Sequence, residues 1–218
     1  NDLGLEKTTV LEAGKRGEEN LGPQVPRLAH KQPFVFVNTH EGGALYASDS
    51  IEQAEPLFRL IFDFGAGALP GGAGFTPDDR FYVTALTGRN KLAALDVSDP
   101  WHPKAVSSLG FEADPGGTGH RRTGGPSAVT LSADGTRVAV ADYTIDVPGY
   151  ALGGDCRVYM VRLDPATGAL RFDTAFRDEV TGEVGVDFGR SSWPHGETGP
   201  ARPAAVLFVT PEPPASKS

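Results

Sequence analysis

The chain is 218 residues long, with 20 basic and 28 acidic side chains, a net charge of −8 and a pI near 5.1. That length can bury a real core in one domain or two, while the acidic balance repels phosphate backbones and argues against nucleic-acid binding. The longest apolar run, Ala204 to Val209, has strand length and falls far short of the ~20 residues a membrane helix needs, so no membrane insertion is expected.

The 28 glycines and 18 prolines make up about a fifth of the chain, against roughly 12 % in an average protein. Such punctuation suits short strands joined by turns and argues against long helices. Cys156 is the only cysteine, so no internal disulfide forms. This fits a reducing compartment, and a soluble, cytoplasmic setting is expected ahead of an exported one. The start at Asn1 rather than Met reads as a processed or partly observed terminus.

Residues 1–32 are polar and turn-rich and read as an extended N-terminal arm or linker, with a short helix around Leu5 to Lys15 as the alternative. Strand text begins at Pro33 in PFVFVNTH, where Phe34, Val35, Phe36 and Val37 are strongly β-prone. GALYASDS and PLFRLIFDFG follow at hairpin spacing. A second unit is clearer: AGFTPDD enters an acidic turn, RFYVTALTG leaves it, and NKLAALDVSDP and PKAVSSLGF complete a four-strand meander. Asp99-Pro100 marks a turn, because Asp bonds its own backbone and Pro fixes φ.

A third unit repeats the plan in SAVTLSADG, TRVAVADYT, CRVYMVRLDPATG and ALRFDTAF. Phe75, Thr76 and Asp78 map onto Leu131, Ser132 and Asp134 at a constant offset. Asp96 in LDVSDP maps onto Asp164 in LDPATG at a longer one, with the extra residues in IDVPGYALGGD. Four strands per repeat predict blades of a β-propeller, whose sheets bury their faces only against one another. Blades are expected over 33–210 and a disordered tail over 211–218. Strand alternation predicts core positions at Phe75, Val83, Leu95, Val129, Leu131, Val138, Val140, Val158, Met160 and Leu163. The chain supplies about three blades, whereas a closed ring usually takes four to eight.

The stretches TPDDRFYVTALTGRNKLAALDVSDPWHPK, GGPSAVTLSADGTRVAVADY and CRVYMVRLD, within Leu69 to Arg190, resemble the last blades of the selenium-binding protein family, which includes methanethiol oxidases. The resemblance implies an all-β, seven-bladed propeller of which this chain is the C-terminal part. It also implies a metal, copper, held by histidines in active members. Several of those belong to N-terminal blades absent from this sequence, and Ala204 in ARPAAVLFVTPEPP stands where a histidine is expected. The implied result is no cofactor in the isolated chain, and copper only if an oxidase is completed by another chain.

The residues themselves offer scattered candidates. His40, in NTHEGG, reads as a turn histidine bonded to backbone or a metal ligand. His195, in SSWPHGETG, sits in a loop stiffened by Trp193 and Pro194, with Glu197 nearby. His102 reads as a turn residue, and His120 with Arg121 and Arg122 as part of a glycine-rich inter-blade loop that does not lead into a helix, as a phosphate cradle would. Cys156 has only Arg157 to acidify it and reads as a packed thiol. Asp178, Glu179, Glu183, Asp187 and Glu197 read as a solvated acidic loop, with an oxygen-lined cation site as the alternative. No G-x-S-x-G elbow is present.

The expected function is a selenium-binding-protein-like propeller acting as a binding or assembly module, joined by a protein partner or a missing propeller half. The alternatives are a sulfur-metabolising, methanethiol oxidase-like enzyme with ligands from elsewhere, and a lactonase-like propeller holding a divalent cation.

Overall fold

The computed structural model describes residues 21–49, 52–53, 56–111, 125–144 and 153–209. The described residues are all-β apart from one 3₁₀ turn, Thr87–Arg89. Three antiparallel sheets follow one another along the chain. Blade 1 holds β1 (Pro23–Leu28), β2 (Val35–Thr39), β3 (Ala44–Ser48) and β4 (Arg59–Asp63). Blade 2 holds β5 (Pro70–Phe75), β6 (Phe81–Leu86), β7 (Lys91–Asp96) and β8 (Lys104–Gly110). Blade 3 holds β9 (Pro126–Leu131), β10 (Arg137–Asp142), β11 (Arg157–Leu163) and β12 (Leu170–Phe172), with β13 (Val186–Asp187) sharing the outer edge of β11.

Each sheet is a sequential meander, and the first strands β1, β5 and β9 lie side by side. This is a partial β-propeller, with the first strand of each blade innermost. Between blades 1 and 2, Phe36 stacks on Phe75 and Tyr82 at ring separations of 4.9 and 5.3 Å, within a cluster that includes Leu45 and Leu95. Between blades 2 and 3, Val83 and Leu92 meet Val138, Val140, Tyr159 and Val161, with Phe111 edge-on to Tyr159 at 5.3 Å. The core expectations hold at nine positions; Leu131 is half-buried, packed against the edge of the second cluster.

The structure departs from the sequence reading in several places. Strand β1 falls inside the span read as an arm, so blade 1 begins at Pro23 and not at Pro33. Its prolines are tolerated because β1 pairs on one edge only, and Pro26 sits at a bulge between Gln24 and Arg27. The Arg137↔Arg162 pair occupies the place of Phe81↔Asp96, so Asp164 stands two residues beyond the position of Asp96. The two aspartates still do the same work: Asp96 accepts the Ser98 N–H at 2.9 Å and Asp164 the Ala166 N–H at 2.8 Å. The helix considered near Leu5 and the loop around His120 lie outside the described residues.

The acidic turns are also more specialised than their composition suggested. Asp78 closes its own turn, whereas Asp79 leaves it, accepting the His30 N–H at 2.7 Å and the Lys31 N–H to tie blade 2 to blade 1. Asp79 adopts a φ of 61°, a left-handed geometry that aspartate tolerates. Blade 3 has Gly135 at the matching position, with a φ of 70°.

Candidate functional site

Where the three inner strands meet, an axial groove of about 390 Å³ opens between Arg27 and His30 of blade 1, Phe75 of blade 2, and Thr130 and Leu131 of blade 3. Leu207 forms its remaining wall. Arg27 is held across the strands by its Nε, which donates to Ala73 O at 2.6 Å. The strands approach closely because β5 is nearly side-chain-free at Gly71-Gly72. A Cβ on Gly72 would run into the Ser127 carbonyl oxygen and stand 2.8 Å from Val129 N. Glycine there lets the backbones of β5 and β9 touch. The groove is mixed in chemistry, with one guanidinium, the His30 imidazole and the Thr130 and Ser132 hydroxyls over an apolar floor.

The sequence-selected residues do not converge on this groove. His40 is half-buried, with Nδ1 3.3 Å from Pro70 O and its N–H donated to Gly22 O, so it joins the ends of blades 1 and 2. His102 pairs with Asp99 at 2.8 Å in an exposed turn. Cys156 sits at the start of β11 with a φ of 58°, and burial pushes its thiol up, with Arg202 opposing and Asp155 and Asp187 reinforcing the rise. Arg157, the sequence neighbour that could acidify it, is engaged with Glu183 and lies 3.8 Å from Asp187.

Trp193, His195 and Glu197 do share a loop. Trp193 N–H donates to Glu197 O at 2.9 Å, its indole Nε1 donates to Gly199 O at 3.0 Å, and His195 Nε2 lies 3.3 Å from Glu197 Oε2. The His195 and Glu197 side chains are 64 % and 78 % exposed, so their pairing is a surface contact. Beneath the loop, the Arg190 guanidinium lies 4.8 Å from the Trp193 ring centre and Phe188 meets the same ring edge-on at 5.5 Å.

The acidic segment that feeds this loop is not simply solvated. Asp178 is fully buried at its side chain, pairs with Arg190, and accepts the N–H groups of Val180, Thr181 and Asp187, each at 2.9 Å. Composition alone could not separate Asp178 from its exposed neighbour Glu179, which meets Arg190 at 2.8 Å from the solvent side. Arg190 therefore closes residues 178–190 on themselves, and the buried Arg157 of β11 ties the segment to blade 3 through Glu183. Beyond them the chain turns back, and Val158, Phe176, Val186 and Phe188 line an apolar groove of about 400 Å³ with residues 201–206.

No family model matches the sequence, and no curated protein matches it. Solved structures do. A hypothetical selenium-binding protein from Sulfolobus tokodaii superposes with a TM-score of 0.59 at 21 % identity, covering 85 % of this chain and 47 % of its own. The periplasmic gluconolactonase of Pseudomonas aeruginosa gives 0.56 at 19 %, covering 69 % of this chain and 39 % of its own. Sqt1 from Saccharomyces cerevisiae gives 0.51 at 14 %, covering 71 % and 35 %. The likeness is one of fold. The chain spans less than half the length of each of these structures.

Copper, which the family resemblance implies, finds no matching donor set here. Among the described residues no three His, Cys, Asp or Glu side chains come together as ligands, and His40, His102 and His195 are spread over separate turns. Ala204, in the place of an expected histidine, lies in the apolar groove instead. Among the described residues, no helix is long and apolar enough to cross a membrane.

Proposed function

We propose that the chain is a selenium-binding-protein-like propeller arc that serves as a binding or assembly module, its ring continued by a protein partner or a missing propeller half. The observation that carries this reading is the open side of β9. Val129 packs toward blade 2, so Thr130 points the opposite way, where its Oγ1 donates to Val206 O at 2.7 Å. Residues 203–209 thus stand where the inner strand of a following blade would run, yet Leu207 and Val209 are 79 % and 85 % exposed. Blade 1 adds Leu28 and Leu60, also exposed. Apolar burial is worth roughly 25 cal/mol per Å², so covering several hundred Å² favours association by about 10 kcal/mol before entropic costs.

The test is native mass spectrometry combined with metal analysis of the purified chain and its complexes. The module reading expects assembly without bound metal. Copper at stoichiometric occupancy would instead favour a sulfur-metabolising oxidase resembling methanethiol oxidases. A hard divalent cation would favour a lactonase-like propeller, in keeping with the gluconolactonase likeness.

A further inference from the structure

At or just before the start of each blade's second strand, a carbonyl accepts an N–H from the residue that follows the first strand. Ala29 donates to Phe34 O at 2.9 Å, Thr76 to Phe81 O at 2.8 Å, and Ser132 to Arg137 O at 2.9 Å. Phe34, Phe81 and Arg137 are therefore one position seen in three blades. In the first two, the turn between the third and fourth strands of the following blade covers it. Trp101, in the turn after β7, meets Phe34 edge-on at 5.3 Å. Gly168, in the turn after β11, lies so close to Phe81 that a Cβ on it would stand 2.8 Å from the ring. Arg80 reaches Pro165 O in that same turn at 3.3 Å.

At the third position the chemistry changes. Blade 2 reads Phe81↔Asp96↔Lys104 along this row of its ladder, and blade 3 reads Arg137↔Arg162↔Arg171. Three exposed guanidiniums stand opposite one another on strands about 4.8 Å apart, a spacing at which like charges repel. The carboxylates that face them are mostly engaged. Asp173 pairs with Arg162 at 3.0 Å. Asp164 accepts the N–H groups of Ala166 and Thr167, and Asp134 those of Thr136 and the Ser132 hydroxyl. Among the described residues, Arg137 and Arg171 form no direct ion pair, and each feels only the more distant charge of one carboxylate, Asp134 and Asp164 respectively. They line a concavity of about 630 Å³ together with Arg162, Asp164 and Pro165, so that three guanidiniums outnumber the one carboxylate on its wall.

We propose that this arginine row seats an acidic turn of the polypeptide that continues the ring. The inference rests on the assembly reading above and names the chemistry of the partner surface. A turn is favoured because turns cover the matching position in both other pairs of blades, each bearing an aspartate: Asp99 beside Trp101, and Asp164 before Gly168. An extended acidic segment also suits a row spanning about 10 Å across three strands better than a single oxyanion does. Charge complementarity of this kind sets register and rejects wrong partners.

Hexaglutamate titrated into the full chain, followed through the arginine Nε–Hε resonances, tests the proposal. The signals of Arg137 and Arg171 should move, and the exposed double variant R137S/R171S should bind at least tenfold more weakly. Hexaglutamine should not bind. Absent binding, equal binding by the double variant, or inorganic phosphate occupying the row as well as the peptide would overturn it, the last by making the row a small-anion site. A chain that stays monomeric yet binds hexaglutamate through these arginines would support the row's chemistry while refuting the assembly reading.

Discussion

Thr76 donates its hydroxyl to Asp78 Oδ1 at 2.6 Å and accepts the Phe81 N–H at 2.9 Å, closing the turn between β5 and β6. Ser132 repeats both bonds in blade 3, to Asp134 at 2.6 Å and from Arg137 N–H at 3.0 Å. The repeated text of the two turns is thus a repeated hydrogen-bond circuit. Thr76 is buried and Ser132 half-buried. Thr76→Val leaves the Phe81 N–H without its partner, a loss of about 1–3 kcal/mol. Ser132→Ala should cost less, since water reaches that turn. Paired urea denaturation curves check the order.

The same circuit predicts a response to acid. The Ser132 hydroxyl, then the Thr136 backbone and side chain, bring the Asp134 carboxyl down to about 2. The Thr76 hydroxyl chiefly lowers Asp78 in the same way. A carboxylate whose folded pKa is depressed adds stability above its unfolded pKa, near 4, and loses it as pH falls toward the folded value. Wild type should therefore lose its stability advantage over Asp134→Asn progressively between about pH 4 and pH 2. Unfolding midpoints across that range measure it; a constant difference would show that the turn does not hold the charged form.

Gly72 carries the contact between inner strands. Gly72→Ala drives a methyl into the β9 backbone at Ser127 and Val129, and overpacking of this kind costs about 1–3 kcal/mol. The distinguishing readout is faster amide exchange in both β5 and β9, as the two blades are pushed apart together.

Removing Arg190 leaves the buried Asp178 carboxyl without its ion-pair partner. Losing one partner of such a pair costs about 3–5 kcal/mol, here borne by the segment 178–199 more than by the blades. Arg190→Leu should red-shift the emission of Trp193, which loses both its guanidinium neighbour and its loop geometry, while β5–β11 keep their amide protection. Repeating the measurement in a Trp101→Phe background isolates the Trp193 signal.

The strands were legible because alternation and turn chemistry agree along most of the chain: PFVFVNTH, RFYVTALTG and CRVYMVRLD became β2, β6 and β11. Strand β1 was not, because residues 1–32 are polar and turn-rich as a whole, and its two prolines fit a strand only where one edge needs no donors. The site was far less legible. His40, Cys156 and His195 look comparable as residue types, and only the blade order shows that they end in different places. The Asp178–Arg190 pair depends on how an irregular loop folds back on itself, and the Arg137↔Arg162↔Arg171 row on strand register, neither of which residue type announces.

The central claim is that three blades form an arc completed by a protein partner or a missing propeller half. Sedimentation equilibrium of the purified chain tests it most directly, against a monomer mass of 22.9 kDa. The account predicts a folded species heavier than the monomer, or a chain that becomes fully folded only when its partner is added. A stable, cooperatively folded 22.9 kDa monomer with no partner would contradict it.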